Sequence, residues 1–174
     1  HTVRDIFSGC AVAFPQNSKT KDACYEDFKF TAGPTRNRPH IVVKSDAAGE
    51  LTEAVKALGW HSEPSLANRW PHNVTHERWH GSYKSCIRAV MLHSGFPEKA
   101  WELMVLYCSI ILSVMRRAPI LPWERDSRGE VLLGYRPKLS QTCWEAHHYG
   151  DKFTGPIQPF GRLVYYRNPI HPLA

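Results

Sequence analysis

The chain has 174 residues, 43% of them hydrophobic, which is enough to bury one good core with a short appendage. Its net charge of +6, spread along the whole length, favours a polyanionic partner such as nucleic acid. Five scattered cysteines (Cys10, Cys24, Cys86, Cys108, Cys143), odd in number and without a CxxC pair, argue against a disulfide framework and for reduced, mostly buried thiols in an intracellular protein.

The first residue is His1, and a strand-like segment follows at once, so the chain is expected to be a fragment whose beginning lies upstream. Val3–Phe14, rich in β-branched and aromatic residues and broken by Ser8-Gly9, predicts two strands joined by a tight turn. Thr20–Phe30 has helical apolar spacing at Ala23, Cys24 and Phe28. His40–Lys44 is a short apolar run that suits a buried strand, and Glu50–Leu58 carries Leu51, Ala54, Val55 and Leu58 at helical spacing before Gly59. His61–His72 is polar and reads as a loop with a short strand. Asn73–His93 predicts a long helix, and Glu98–Arg117 a second, whose apolar stretch Met104–Met115 is too short to span a bilayer. The Pro-rich remainder holds only short strand-like pieces at Val131–Leu133 and Leu163–Tyr166. The division is therefore a core over 1–118 and an extension over 119–174. Alternating strands and helices in the first part predict an α/β sandwich. Asn73-Val74-Thr75 is formally a glycosylation sequon but, without a signal peptide, is taken as chance.

The most conspicuous motif is HERWH at residues 76–80, which spells the HExxH of zinc metallopeptidases. Ten histidines in the chain make a chance occurrence unsurprising. Arg78 lies between the two His and Gly81 follows, whereas a zinc helix of this type is half buried and uncharged there. A third ligand is also required, and only Glu98 or Glu102 on the next helix would serve, by assumption. The helix divides more simply into two faces. Asn73, Glu77, His80, Lys84 and Arg88 recur at helical spacing on one stripe, while Trp79, Tyr83, Cys86 and Val90 lie roughly opposite and predict the core side. A second carboxylate gives the polar stripe chemical meaning. Asp46 ends the apolar strand HIVVK and precedes a turn into a helix, the position where α/β folds place chemistry. Asp46 and Glu77 together suit Mg²⁺, with Lys84 and Arg88 holding a phosphate backbone.

Several segments carry a resemblance. IVVKSDAAGEL (41–51) resembles the strand-turn-helix bearing the second Asp of retroviral-type integrases, and NVTHER (73–78) the opening of the helix that bears the family's Glu. DIFSGCAVAF (5–14) is similar to the core's second and third strands. SGFPEKAW (94–101) and TCWEAHHYGDKFTGPIQPFGRLVYY (142–166) resemble the end of a copia-type retrotransposon integrase core and its tail. The resemblance covers nearly the whole chain. It implies a ribonuclease H-like mixed sheet flanked by helices, with the first strand missing, and a DDE enzyme that cuts and joins DNA using Mg²⁺ or Mn²⁺. Asp46 and Glu77 would be the catalytic metal ligands. Asn73, His80, Lys84 and Arg88 would contact DNA, with His61 and His72 as further candidates. A homo-oligomer, a DNA partner and, in a eukaryote, a nuclear location would follow, with no membrane. Three departures stand out. Val74 replaces the family's Gly, the 30 residues between Asp46 and Glu77 are fewer than usual, and the family's first Asp falls before Val3. Asp5 is expected to be structural rather than a substitute ligand. The rivals are a degenerate, non-catalytic DNA-binding or assembly module, and a zinc hydrolase built on His76, Glu77 and His80.

Overall fold

A computed structural model describes residues 1–33, 40–65, 74–132, 134 and 136–162. In chain order the elements are β1 (Thr2–Arg4), β2 (Ala11–Ala13), α1 (Lys21–Ala32), β3 (Val42–Ser45), α2 (Gly49–Ala57), β4 (His61–Pro64), α3 (Val74–Ser94), α4 (Trp101–Met115), α5 (Arg136–Ser140) and α6 (Cys143–His147). Short 3₁₀ turns precede α4 at Glu98–Ala100 and follow it at Pro122–Glu124.

The hairpin forms as the sequence requires. Thr2, Val3 and Arg4 pair antiparallel with Ala13, Val12 and Ala11, and Gly9 turns the chain at φ 76. The Asp5 side chain caps that turn by accepting from the backbone N–H groups of Phe7 and Ser8. Because side chains alternate across a strand, β1 and β2 serve two cores. Val3 packs with Cys24 and Phe28 of α1 and Ala54 and Val55 of α2. Ala11 and Ala13 pack on the other face with Trp79 and Tyr83 of α3 and Val105 and Cys108 of α4. This is an α/β sandwich, and the predicted apolar face of α3 is the buried one. Helix α1 starts where Thr20 accepts from the N–H of Ala23, and stops at Gly33 in a positive-φ conformation.

The small alanines of β2 let α4 approach closely enough to bond its backbone. Ser109 Oγ accepts from the N–H of Ala13 (3.1 Å), and Ser113 Oγ accepts from the N–H of Ala11 (3.3 Å). Tyr83 stacks on Trp79 (ring centroids 4.7 Å) and donates its hydroxyl to the carbonyl of Val105 at 2.6 Å. The five cysteines are free thiols.

Two expectations need correction. The strand over 40–44 is not buried: β3 pairs in parallel with β4 alone among the described strands, and Val42 is 55% exposed while Val43 packs inward. With one face open, it alternates rather than running fully buried. The sheet is thus in two two-stranded pieces among the described residues. In the extension, the strand-like Val131 makes one bridge to Arg125, and the described part is otherwise built from the Pro122–Glu124 turn, α5 and α6. Leu133 and 163–166 lie outside the described residues. The extension folds back on the core. Ala118 N–H donates to Gln141, Cys143 N–H donates to Arg116, and α6 packs on α4. No described helix is long and apolar enough to cross a membrane.

The turn residue Asp5 sets an acid limit on stability. Burial pushes its carboxyl up, but hydrogen bonds from His147, the Ser8 hydroxyl and the N–H groups of Phe7 and Ser8 outweigh that and hold it near 2 instead of 3.8. A folded value below the unfolded one contributes stability that is complete above about pH 4 and disappears as pH falls toward 2. Thermal unfolding across that window should therefore be less pH-dependent in Asp5→Asn than in the parent. Identical pH profiles would show that Asp5 is not the titrating group.

Candidate functional site

Asp46 follows β3 directly and precedes α2; Glu77 lies in the first turn of α3. Both are exposed. The two carboxylates, far apart in sequence, line one broad open cleft of about 2300 Å³ that runs along β1 and β3. The cations Arg4, Lys19 and Lys44 line it too. Arg4 is lowered from its ordinary pKa by burial and by the neighbouring Arg116.

The two histidines of HERWH also face the cleft, and their partner explains them. Thr2 Oγ1 lies 3.1 Å from His76 Nε2 and 2.7 Å from His80 Nε2, and the rings are 4.5 Å apart. A hydroxyl has one proton to give and lone pairs to accept with, so it can donate to one imidazole and accept from the other. The pair thereby ties α3 to β1. Burial, then His80 and Arg4, push His76 down to about 4, against a smaller upward pull from Asp46. His80 is lowered by burial, Lys84 and the N-terminal ammonium. Both rings therefore favour the neutral form. Among the described residues no group of three or more His, Cys, Asp or Glu is placed to hold a metal ion, and neither Glu98 nor Glu102 lines the cleft.

The remaining candidates separate. Lys84 and Arg88 are exposed on α3 and continue the Glu77–His80 stripe, but beyond the cleft lining. His61, at the start of β4, is exposed and also outside the lining. Asn73 and His72 lie outside the described residues. Asp5 lines the cleft with its oxygens engaged by Ser8 and the hairpin turn.

Sequence reasoning missed the contribution of the extension. Trp123, His147, His148 and Tyr149 all line the same cleft as Asp46 and Glu77. A usable signal was present. Thr142 and Glu145 form a capping box, Thr142 Oγ1 accepting from Glu145 N–H and Glu145 Oε2 from Thr142 N–H. That box starts α6 and so fixes where His147-His148-Tyr149 emerge. The ring of Trp144 stacks on His148 at 3.9 Å and 17°.

No protein-family model matches the chain, and no curated protein sequence matches it. Among solved structures, the chain is similar to one in the cryo-electron microscopy structure of the simian T-cell lymphotropic virus intasome in complex with PP2A regulatory subunit B56 gamma. The likeness has a TM-score of 0.53 at 16% identity and covers 94% of this chain. The chain spans 52% of the length of that one. At that identity the likeness is one of fold, and the fold of this chain is a mixed α/β one, compatible with a partial ribonuclease H-like domain.

Proposed function

We propose that this chain is part of the catalytic core of a retrotransposon-type integrase, whose intact form cleaves phosphodiesters and transfers DNA strands. The observation that carries the proposal is the presence of Asp46 and Glu77 in one cleft, from the end of a strand and the start of the long helix. Two exposed carboxylates are hard oxygen donors, and their chemistry fits Mg²⁺ or Mn²⁺ better than a softer metal. Asp46 and Glu77 would hold such an ion, which would supply Lewis-acid activation of water or a DNA 3′-hydroxyl for in-line attack on phosphorus. The chain's own part is to hold and orient. Asp46 and Glu77 supply charge to the ion. Lys84 and Arg88, further along the exposed stripe, grip the phosphate backbone leading into the cleft. His80, engaged through Nε2 by Thr2, meets DNA through the other edge of its ring. DNA binding by these cations should weaken steeply with salt, because each phosphate contact releases counterions.

A DNA-binding module without catalysis would keep the same fold and cations, and metal affinity separates the two. Titration of Mn²⁺ into the protein, followed by loss of the free-ion electron paramagnetic signal, should show binding that weakens about 10-fold or more in Asp46→Asn and in Glu77→Gln. Each substitution removes a charged contact on the order of 1.5–3 kcal/mol. Unchanged Mn²⁺ affinity in both variants would leave the non-catalytic module as the better account.

A further inference from the structure

We propose that Thr2 is a positioning residue for the metal site: its hydroxyl, shared between His76 and His80, sets the rotation of α3 that presents Glu77 to the cleft. This rests on the integrase-type function proposed above and deepens it by naming what orients one of the two carboxylates.

Glu77 does little to hold itself. It is exposed and, among the described residues, makes no hydrogen bond or ion pair of its own, so its direction follows from how the first turn of α3 lies. Adjacent residues project roughly 100° apart around a helix, while residues four apart share one side, about 6 Å from each other along the axis. His76 and His80 are such a pair, and their side of the helix flanks Glu77. A helix held at one point can still roll. Held from two successive turns, it cannot roll without breaking one of the two bonds to Thr2 Oγ1, at 3.1 and 2.7 Å. The same turn lies beside the end of β3, since the Asp46 carboxylate pulls the His76 pKa upward. A roll of α3 would therefore move Glu77 relative to Asp46.

Both sides of the junction are firm. Thr2 pairs with Ala13 in the hairpin, its neighbour Val3 packs with Cys24 and Phe28, and His1 Nδ1 lies 2.8 Å from Asp27 Oδ2. On the helix side, His76 stacks on Trp79 with ring centroids 5.9 Å apart, and His80 meets Trp79 edge-on at 5.5 Å. Trp79 is itself buried and stacked on Tyr83. The two imidazoles thus fill the space between a buried aromatic wall and a fixed hydroxyl. That hydroxyl has one proton, so it donates to Nε2 of one ring and accepts from Nε2–H of the other. The two neutral rings are then opposite tautomers, a state that neither would share with its neighbour without Thr2.

The experiment titrates Mn²⁺ into the whole chain and its variants, read by loss of the free-ion electron paramagnetic signal. Thr2→Val keeps the β-branched shape that suits β1 and removes only the hydroxyl. It should bind Mn²⁺ roughly 10-fold more weakly, the low end for a residue that orients a metal ligand, while still unfolding cooperatively on heating. Thr2→Ser should restore the affinity. His76→Phe keeps a ring on Trp79 but gives up Nε2, and should weaken binding as well. The double variant Thr2→Val with His76→Phe should be no weaker than Thr2→Val alone, because both remove the same link. Without metal, nitrogen NMR of the imidazoles should show opposite tautomers for His76 and His80 in the parent; the same tautomer for both overturns the shared hydroxyl. Mn²⁺ affinity that is unchanged in Thr2→Val, or not restored by Thr2→Ser, overturns the positioning role while Asp46→Asn and Glu77→Gln still weaken binding. If those two substitutions also leave the affinity unchanged, the proposed function falls with it. Should Thr2→Val fail to fold, His76→Phe decides, and unchanged affinity there overturns the role.

Discussion

Glu124→Gln should cost the protein about 3–5 kcal/mol of stability, more than any other single substitution considered. Glu124 is fully buried, and its two oxygens have separate duties. Oε1 accepts from Lys138 Nζ at 2.7 Å, and Oε2 from the N–H of Leu121 at 2.7 Å. The Lys138 ammonium is itself nearly buried, its remaining side covered by the Phe7 ring at 3.7 Å from the centroid. Glutamine keeps the shape and an acceptor but removes the charge. An ammonium is then left out of water with an aromatic face and a neutral amide for company. Removing one partner of a buried pair costs far more than the pair contributes over an apolar equivalent. The double variant Glu124→Leu with Lys138→Met should therefore recover part of the loss, the Leu121 N–H left without its acceptor keeping about 1–3 kcal/mol of it. Urea unfolding measures both, at unchanged slope if the folded state is intact. A loss under about 1 kcal/mol for the single variant would mean that water reaches the pair.

The second large effect concerns cutting. On the function proposed above, these 174 residues by themselves should bind DNA weakly and not nick it, because Asp46 and Glu77 alone would hold a second ion poorly and in-line transfer needs both attacking and leaving oxygens stabilised. On the same proposal, a chain extended by a strand that carries the integrase family's first Asp ahead of β1 should nick labelled duplex DNA in Mg²⁺ or Mn²⁺. Glu77→Gln in that longer chain should abolish nicking while leaving salt-sensitive DNA binding in place. Nicking that survives Glu77→Gln would refute the roles assigned to the cleft. Nicking absent from the longer parent chain would favour the degenerate module, with Val74 the first suspect as the residue in the place of the family's glycine.

What could be read from sequence was whatever depends on neighbours a few residues away. The face of α3 that carries Trp79 and Tyr83 was legible because a helix repeats every three to four residues, and the hairpin because Ser8-Gly9 interrupts a β-branched run. The parts that failed depend on residues far apart. Thr2 meets His76 and His80 across more than seventy positions, so no local pattern shows what the two histidines of HERWH contact. Val42 looked buried because apolar runs usually are; its exposure follows from which strands it lacks as neighbours. Ser109 and Ser113 bond the backbone of β2, about a hundred positions away, and nothing in the apolar stretch Met104–Met115 announces that contact. In the extension, helices of five residues give too few repeats for periodicity to register, and the burial of Lys138 contradicts the usual fate of lysine.

The two serine hydroxyls of α4 have a consequence beyond holding a helix to a strand. On the side away from β1, β2 would otherwise present a row of bare amides, the template on which a foreign strand docks and a sheet grows from molecule to molecule. Ser109 and Ser113 occupy those amides from within the same chain, so that border of the sheet is closed to polymerisation. Self-association through strand addition is thereby blocked along β2.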